Sequence, residues 1–133
     1  EDVLFWLEDD LRYLHNPFLF SEMEDAVDRI LDAKDEGEKV LVFGDRDVDG
    51  ITSTTLICQA LADLGIDVSW KVPSGNDPYG LTMEAVEAHA AAFGSLIITV
   101  DNGISCIQEI AKANELGIDV SLGFECDRLD SQV

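Results

Sequence analysis

Val40-Leu41-Val42-Phe43-Gly44-Asp45-Arg46-Asp47-Val48-Asp49-Gly50 is the stretch on which the fold turns. Its first four residues form a short, continuous apolar run, the pattern of a strand covered on both faces. Three aspartates follow within five residues, and from Gly50 to Leu64 the pattern is helical, with Gly65 as its stop. A buried strand that runs through an acidic turn into a helix is half of a strand-helix-strand unit.

Working outward, the same alternation repeats. Val68 to Val72 reads as a second strand, and Pro73 to Gly80 as a loop, since it holds two prolines among glycine and asparagine. Leu81 to Phe93 reads as a helix ending at Gly94, and Leu96 to Val100 as a third strand. Ile104 to Leu116 follows as a helix ending at Gly117, and Ile118-Asp119-Val120 begins a fourth strand. On the amino-terminal side, Leu4, Phe5, Leu7, Leu11 and Leu14 recur at helical spacing from Asp2 to His15, where Asn16-Pro17 ends the pattern. Ser21 and Glu24 then match a capping box, with Ala26, Ile30 and Leu31 as the buried face of a helix that stops near Gly37. The expected fold class is therefore α/β: a parallel sheet with helices on both faces, preceded by two leading helices. Its crossovers should be right-handed, and ligands should bind beyond the carboxyl ends of its strands.

That rule directs attention to the aspartates. Asp45, Asp47 and Asp49 follow the first strand, and Asp101-Asn102-Gly103 follows the third. If those strands are neighbours, several carboxylates share one crevice and repel one another. A divalent cation resolves the conflict, and hard carboxylate oxygens suit Mg2+ or Mn2+. The competing reading is ordinary: a lone aspartate after a strand is most often a helix cap, and on that reading Asp49 is no more than a cap. Arg46 can likewise neutralise a neighbour as a surface pair. Three aspartates together with a fourth at another strand end favour the metal site. Gly103-Ile104-Ser105 is read as opening a helix whose exposed N–H groups suit a phosphate. Asn102 either takes a positive φ or hydrogen-bonds substrate.

Composition sets the bounds. A chain of 133 residues, 47% hydrophobic, suffices for one domain with a core. No apolar run is long enough to span a bilayer, so no membrane partner is expected. Cys58, Cys106 and Cys126 are odd in number and widely spaced, unlike a disulfide framework or a zinc site, which favours a reducing, cytoplasmic setting. Against 8 basic residues stand 28 acidic ones, a net charge of −20. Such a surface repels polyanions. It fits solubility in high salt, basic regions elsewhere in a longer protein, or a substrate smaller than a long nucleic acid.

Two motifs now carry a resemblance. Val42 to Thr54, VFGDRDVDGITST, looks like the first motif of RecJ-type proteins in the DHH phosphoesterase superfamily, and Thr99 to Ser105, TVDNGIS, looks like the second. Pro73 with Tyr79-Gly80-Leu81 resembles a loop of those proteins, and HNPFLFSEMEDAVDRI resembles their leading helices. The resemblance covers most of residues 1–120, leaving 121–133 as a divergent tail. It implies a 5′-to-3′ exonuclease on single-stranded DNA, using Mn2+ or Mg2+ to hydrolyse a phosphodiester. By motif position Asp47, Asp49 and Asp101 correspond to metal ligands, with Asp45 a further member of the catalytic set, and Asn102, Gly103 and Ser105 are candidates for substrate phosphate.

One departure matters. The Asp-His-His that names the family is not in this sequence, whose histidines are His15 and His89. His89 reads as a surface or packing residue and His15 as an ordinary helix-end residue. The expectation is a truncated unit with little or no nuclease activity by itself, so that the 133-residue chain is not securely an enzyme. Oligomeric state stays open. Competing readings are a related phosphoesterase acting on short oligonucleotides or cyclic dinucleotides, and a non-catalytic fragment. A haloacid-dehalogenase-type phosphatase fits less well, because Asp47-Val48-Asp49-Gly50 is followed by Ile51 where that family has threonine. A response-regulator receiver fits less well too, since no later lysine motif is evident.

Overall fold

A computed structural model of the chain describes residues 14–122. The expected leading helix over Asp2–His15 lies almost wholly outside them. The described chain begins with a short 3-10 turn, Pro17–Leu19, capped by the Asn16 side chain. After it come α1 (Met23–Glu36), β1 (Lys39–Phe43), α2 (Val48–Asp63) and β2 (Asp67–Lys71). α3 (Met83–Ala91), β3 (Gly94–Thr99), α4 (Ile107–Glu115) and β4 (Asp119–Leu122) complete it.

Among the described residues the strands form one parallel sheet in the order β2-β1-β3-β4. β1 sits inside it, paired on both edges, so its apolar run alternates into two cores. Val40 and Val42 pack with Ala33, Leu61, Leu96 and Ile98 on the face covered by α1 and α2. Leu41 and Phe43 pack with Ala85, Val86, Ile97 and Ala113 on the face covered by α3 and α4. Burying a side chain such as Phe43 contributes roughly 1.5–3 kcal/mol, which is why four apolar residues in a row are needed here. The chain leaves β1 toward β2 on one side and returns to β3 on the other. Connections diverge between the carboxyl ends of β1 and β3, and that divergence opens a crevice.

Several local expectations are corrected. α1 has no side-chain cap at Glu22, so the Ser21–Glu24 capping box does not form. Its fully buried residue is Ala33, with Ile30 one turn earlier packed beside it, whereas Leu31 lies off that face and is exposed. Gly37, at φ +67, terminates α1 as expected. α3 is shorter than read, capped by the Thr82 hydroxyl, and the left-handed residue after it is Phe93. Gly94 belongs to β3, since any side chain there would run into the His89 imidazole. His89 is indeed a packing residue, buried with Nε2 3.1 Å from the Leu96 carbonyl oxygen.

Candidate metal centre

The first half of the site is the turn from β1 to α2. Two glycines let the helix fold back onto the strand end. A Cβ on Gly50 would stand 2.6 Å from the Asp45 backbone nitrogen, and one on Gly44 would strike the Thr54 hydroxyl. Thr54 itself donates to the Gly50 carbonyl at 2.7 Å. α2 therefore starts at Val48, earlier than read, with Asp47 rather than Asp49 as its cap: Asp47 Oδ1 accepts from the Gly50 N–H at 2.9 Å. Asp45 is 7% exposed, and its Oδ1 has no hydrogen-bond partner. A buried carboxylate oxygen without a donor is costly unless a cation meets it.

The second half is the turn after β3. Asp101 takes φ +59 and Gly103 φ +110. The positive φ thus falls on Asp101, and Asn102 does something else. Asn102 is fully buried, with its Nδ2 donating to the Phe43 carbonyl at 3.1 Å and to the Val100 carbonyl at 2.8 Å. Its amide nitrogen thereby clamps the end of β1 to the end of β3, while its Oδ1 is buried without a hydrogen-bond partner. α4 begins only at Ile107, so Gly103-Ile104-Ser105 forms a turn and not a helix N-terminus. Of the three residues considered for phosphate, Ser105 alone is exposed, and Gly103 is buried.

A third segment crosses between these turns. Arg46 Nη1 donates to the Gly75 carbonyl at 2.9 Å, which answers how this cation is used. Tyr79 Oη donates to the Asp101 carbonyl at 3.1 Å. Sequence reasoning marked Tyr79 only as part of a loop; nothing local signals that it reaches the other strand end.

The turns bring carboxylates together. Asp45, Asp47 and Asp101 each offer an oxygen within 4.8 Å of the others. Oxygens around one octahedral cation stand about 3–4 Å apart, given metal–oxygen distances near 2.1 Å. A small torsional adjustment of these side chains closes the difference. Asp49 lies outside the triplet, exposed on the first turn of α2, although its charge is felt at Asp101. Burial first, then the charge and hydrogen bond of Asp47, then Asp49 and Asp45, push the Asp101 carboxyl up to about 6. An acid so raised reflects burial first and, with it, like charges held close. The donor set is all oxygen, and with the orphaned Asp45 oxygen it fits a hard divalent ion.

The family model described as the DHH family, N-terminal domain, matches residues 39–123. The chain belongs to the DHH family. That match runs from the start of β1 just past the end of β4 and contains every site residue named above. The single-stranded-DNA-specific exonuclease RecJ of Bacillus subtilis is 38% identical over 80% of this chain, which spans 14% of that protein. RecJ of Escherichia coli is 42% identical over 75% of this chain and 18% of its own length. The crystal structure of RecJ in complex with Mn2+ from Thermus thermophilus superposes with a TM-score of 0.62 at 33% identity, covering 74% of this chain and 14% of that one. A second structure, of exonuclease RecJ bound to manganese, gives a TM-score of 0.68 at 34% identity over 74% of this chain and 26% of that one. The chain thus spans a small part of the relatives it matches.

Proposed function

We propose that this DHH-family chain supplies the metal-binding wall of a RecJ-type phosphodiesterase, a 5′-to-3′ exonuclease on single-stranded DNA that uses Mn2+ or Mg2+. The observation that carries the reading is the meeting of Asp45, Asp47 and Asp101, from two separate strand ends, around an orphaned buried oxygen. Likeness to manganese-bound exonucleases supports it. A divalent ion held there supplies activation of water and neutralisation of charge on the phosphoryl oxygens. The chain's own residues do the holding. Asp45 presents its oxygen from a buried position, Asp47 commits one oxygen to the α2 cap and keeps the other for the site, and Asp49 adds charge from outside. Ser105, exposed on the turn before α4, is the most accessible of the three candidates to meet a substrate phosphate. Cytoplasmic residence belongs to the same proposal; among the described residues no helix is long and apolar enough to cross a membrane.

The net charge of −20 favours a second reading, in which the substrate is a short oligonucleotide or a dinucleotide. Calorimetric titration with Mn2+ tests the first claim. The wild-type chain should bind the ion, and Asp47→Ala should abolish binding; a wild type that takes up no Mn2+ would sink the proposal. With Mn2+ present, anisotropy of a labelled single strand against a labelled dinucleotide separates the two substrates. Hydrolysis by these 133 residues should stay near background, because the sequence has no Asp-His-His.

A further inference from the structure

We propose that Tyr79 is a positioning residue of the metal centre, its hydroxyl holding the Asp101 backbone so that the Asp101 carboxylate faces Asp45 and Asp47. The inference rests on the metal-centre reading and deepens it. Asp101 is one of two non-glycine residues with positive φ among those described. Left-handed backbone is disfavoured for residues other than glycine, though less for aspartate than for most, and here bonds on either side of Asp101 support it. Asn102 holds the peptide that precedes Asp101, with its amide nitrogen fixed to the Phe43 and Val100 carbonyls. Tyr79 holds the peptide that follows it, donating to the Asp101 carbonyl at 3.1 Å. With both flanking peptides held, the Asp101 Cα–Cβ bond is directed toward Asp45 and Asp47, and only the side-chain torsions are left to adjust.

Independent contacts fix the segment that carries Tyr79. The Ser74 N–H donates to Asp77 Oδ2 at 2.9 Å, closing a tight turn. Arg46, between Asp45 and Asp47, reaches that turn through the Gly75 carbonyl. Gly80 has φ +83, and a Cβ there would stand 2.8 Å from Cys106 Sγ, so the segment also lies against the turn that leads into α4. It is therefore tied to the β1–α2 turn at Gly75 and to the β3–α4 turn at Tyr79 and Gly80. A strap tied at both ends gives the two carboxylate-bearing turns a second link, beside the Asn102 clamp at the strand ends.

Tyr79→Phe keeps the ring and removes the hydroxyl. The test uses the full chain and three measurements: Mn2+ affinity by calorimetry, the Asp101 and Asn102 backbone resonances of the metal-free protein, and the urea midpoint. The expected result is Mn2+ binding about fivefold weaker, the worth of a hydrogen bond of about 1 kcal/mol. The Asp101 and Asn102 resonances should shift, while the midpoint falls by no more than the loss of this one bond. Unmoved resonances overturn the proposal whether or not metal binds. So does a lowered midpoint with Mn2+ affinity unchanged, which would make Tyr79 merely structural. A wild type that binds no Mn2+ instead defeats the metal-centre reading, an outcome distinct from both.

Discussion

The two turns that build the acidic cluster reach it by different means. The β1–α2 turn is made by absence of side chains: Gly44 and Gly50 allow the helix to start against the strand end, and Asp47 caps it. The β3–α4 turn is made by bonds from a distance: Asn102 reaches β1, and Tyr79 reaches in from another loop to hold a left-handed Asp101. One turn is shaped by close packing, the other by bonds from outside it. A site built from one of each has a packed wall and a hydrogen-bonded wall, and the carboxyl whose titration is displaced sits on the second.

Breaking the packed wall should have the largest effect. Gly50→Ala places a methyl group against the Asp45 backbone and should cost about 3 kcal/mol, the upper range for overpacking, read as a lower urea midpoint. If it is tolerated as well as an exposed helix substitution, the close-packed description of this turn is wrong. Asn102→Ala attacks the other wall and should cost about 2 kcal/mol for two lost buried hydrogen bonds. It should also reduce Mn2+ affinity, whereas a purely local packing role would leave affinity alone.

A smaller effect follows from pH. The Asp101 carboxyl titrates near 3.8 when unfolded and at about 6 in the fold, so the folded chain holds the extra proton between these values. Stability of the metal-free protein should therefore fall as pH rises from about 4 to about 6, and then level off. Asp101→Asn should flatten this part of the curve and raise stability above it; an unchanged slope would remove Asp101 as the source. Smallest of all, Asp49→Asn should weaken Mn2+ less than about threefold, acting only through a solvent-screened charge. Asp47→Asn, which keeps the cap but halves the donor capacity, should weaken it far more. Equal losses would return Asp49 to the ligand set.

What was legible along the chain, and what was not, divides along the same line. The strands were legible because burial on two faces demands consecutive apolar residues, and Val40–Phe43 and Leu96–Val100 supply them. The helices between them were legible from their periodicity and from the stops at Gly65 and Gly117, though the Gly94 stop, the capping box at Ser21 and the starts of α2 and α4 were misplaced. A cap is chosen by which side chain the following backbone can reach, and at Asp47 and Asp49 that choice depends on how closely Gly50 can approach Asp45.

Composition and periodicity alone were enough to specify a parallel α/β sheet with acidic strand ends, because each strand and helix answers to its own neighbours. Which carboxylates turn inward, why Asp101 is left-handed, and how Tyr79 and Arg46 serve the site depended on the folded chain. Those features are set by hydrogen bonds between residues 22 to 59 positions apart, and no local pattern encodes a bond whose two ends become neighbours only after the sheet has formed.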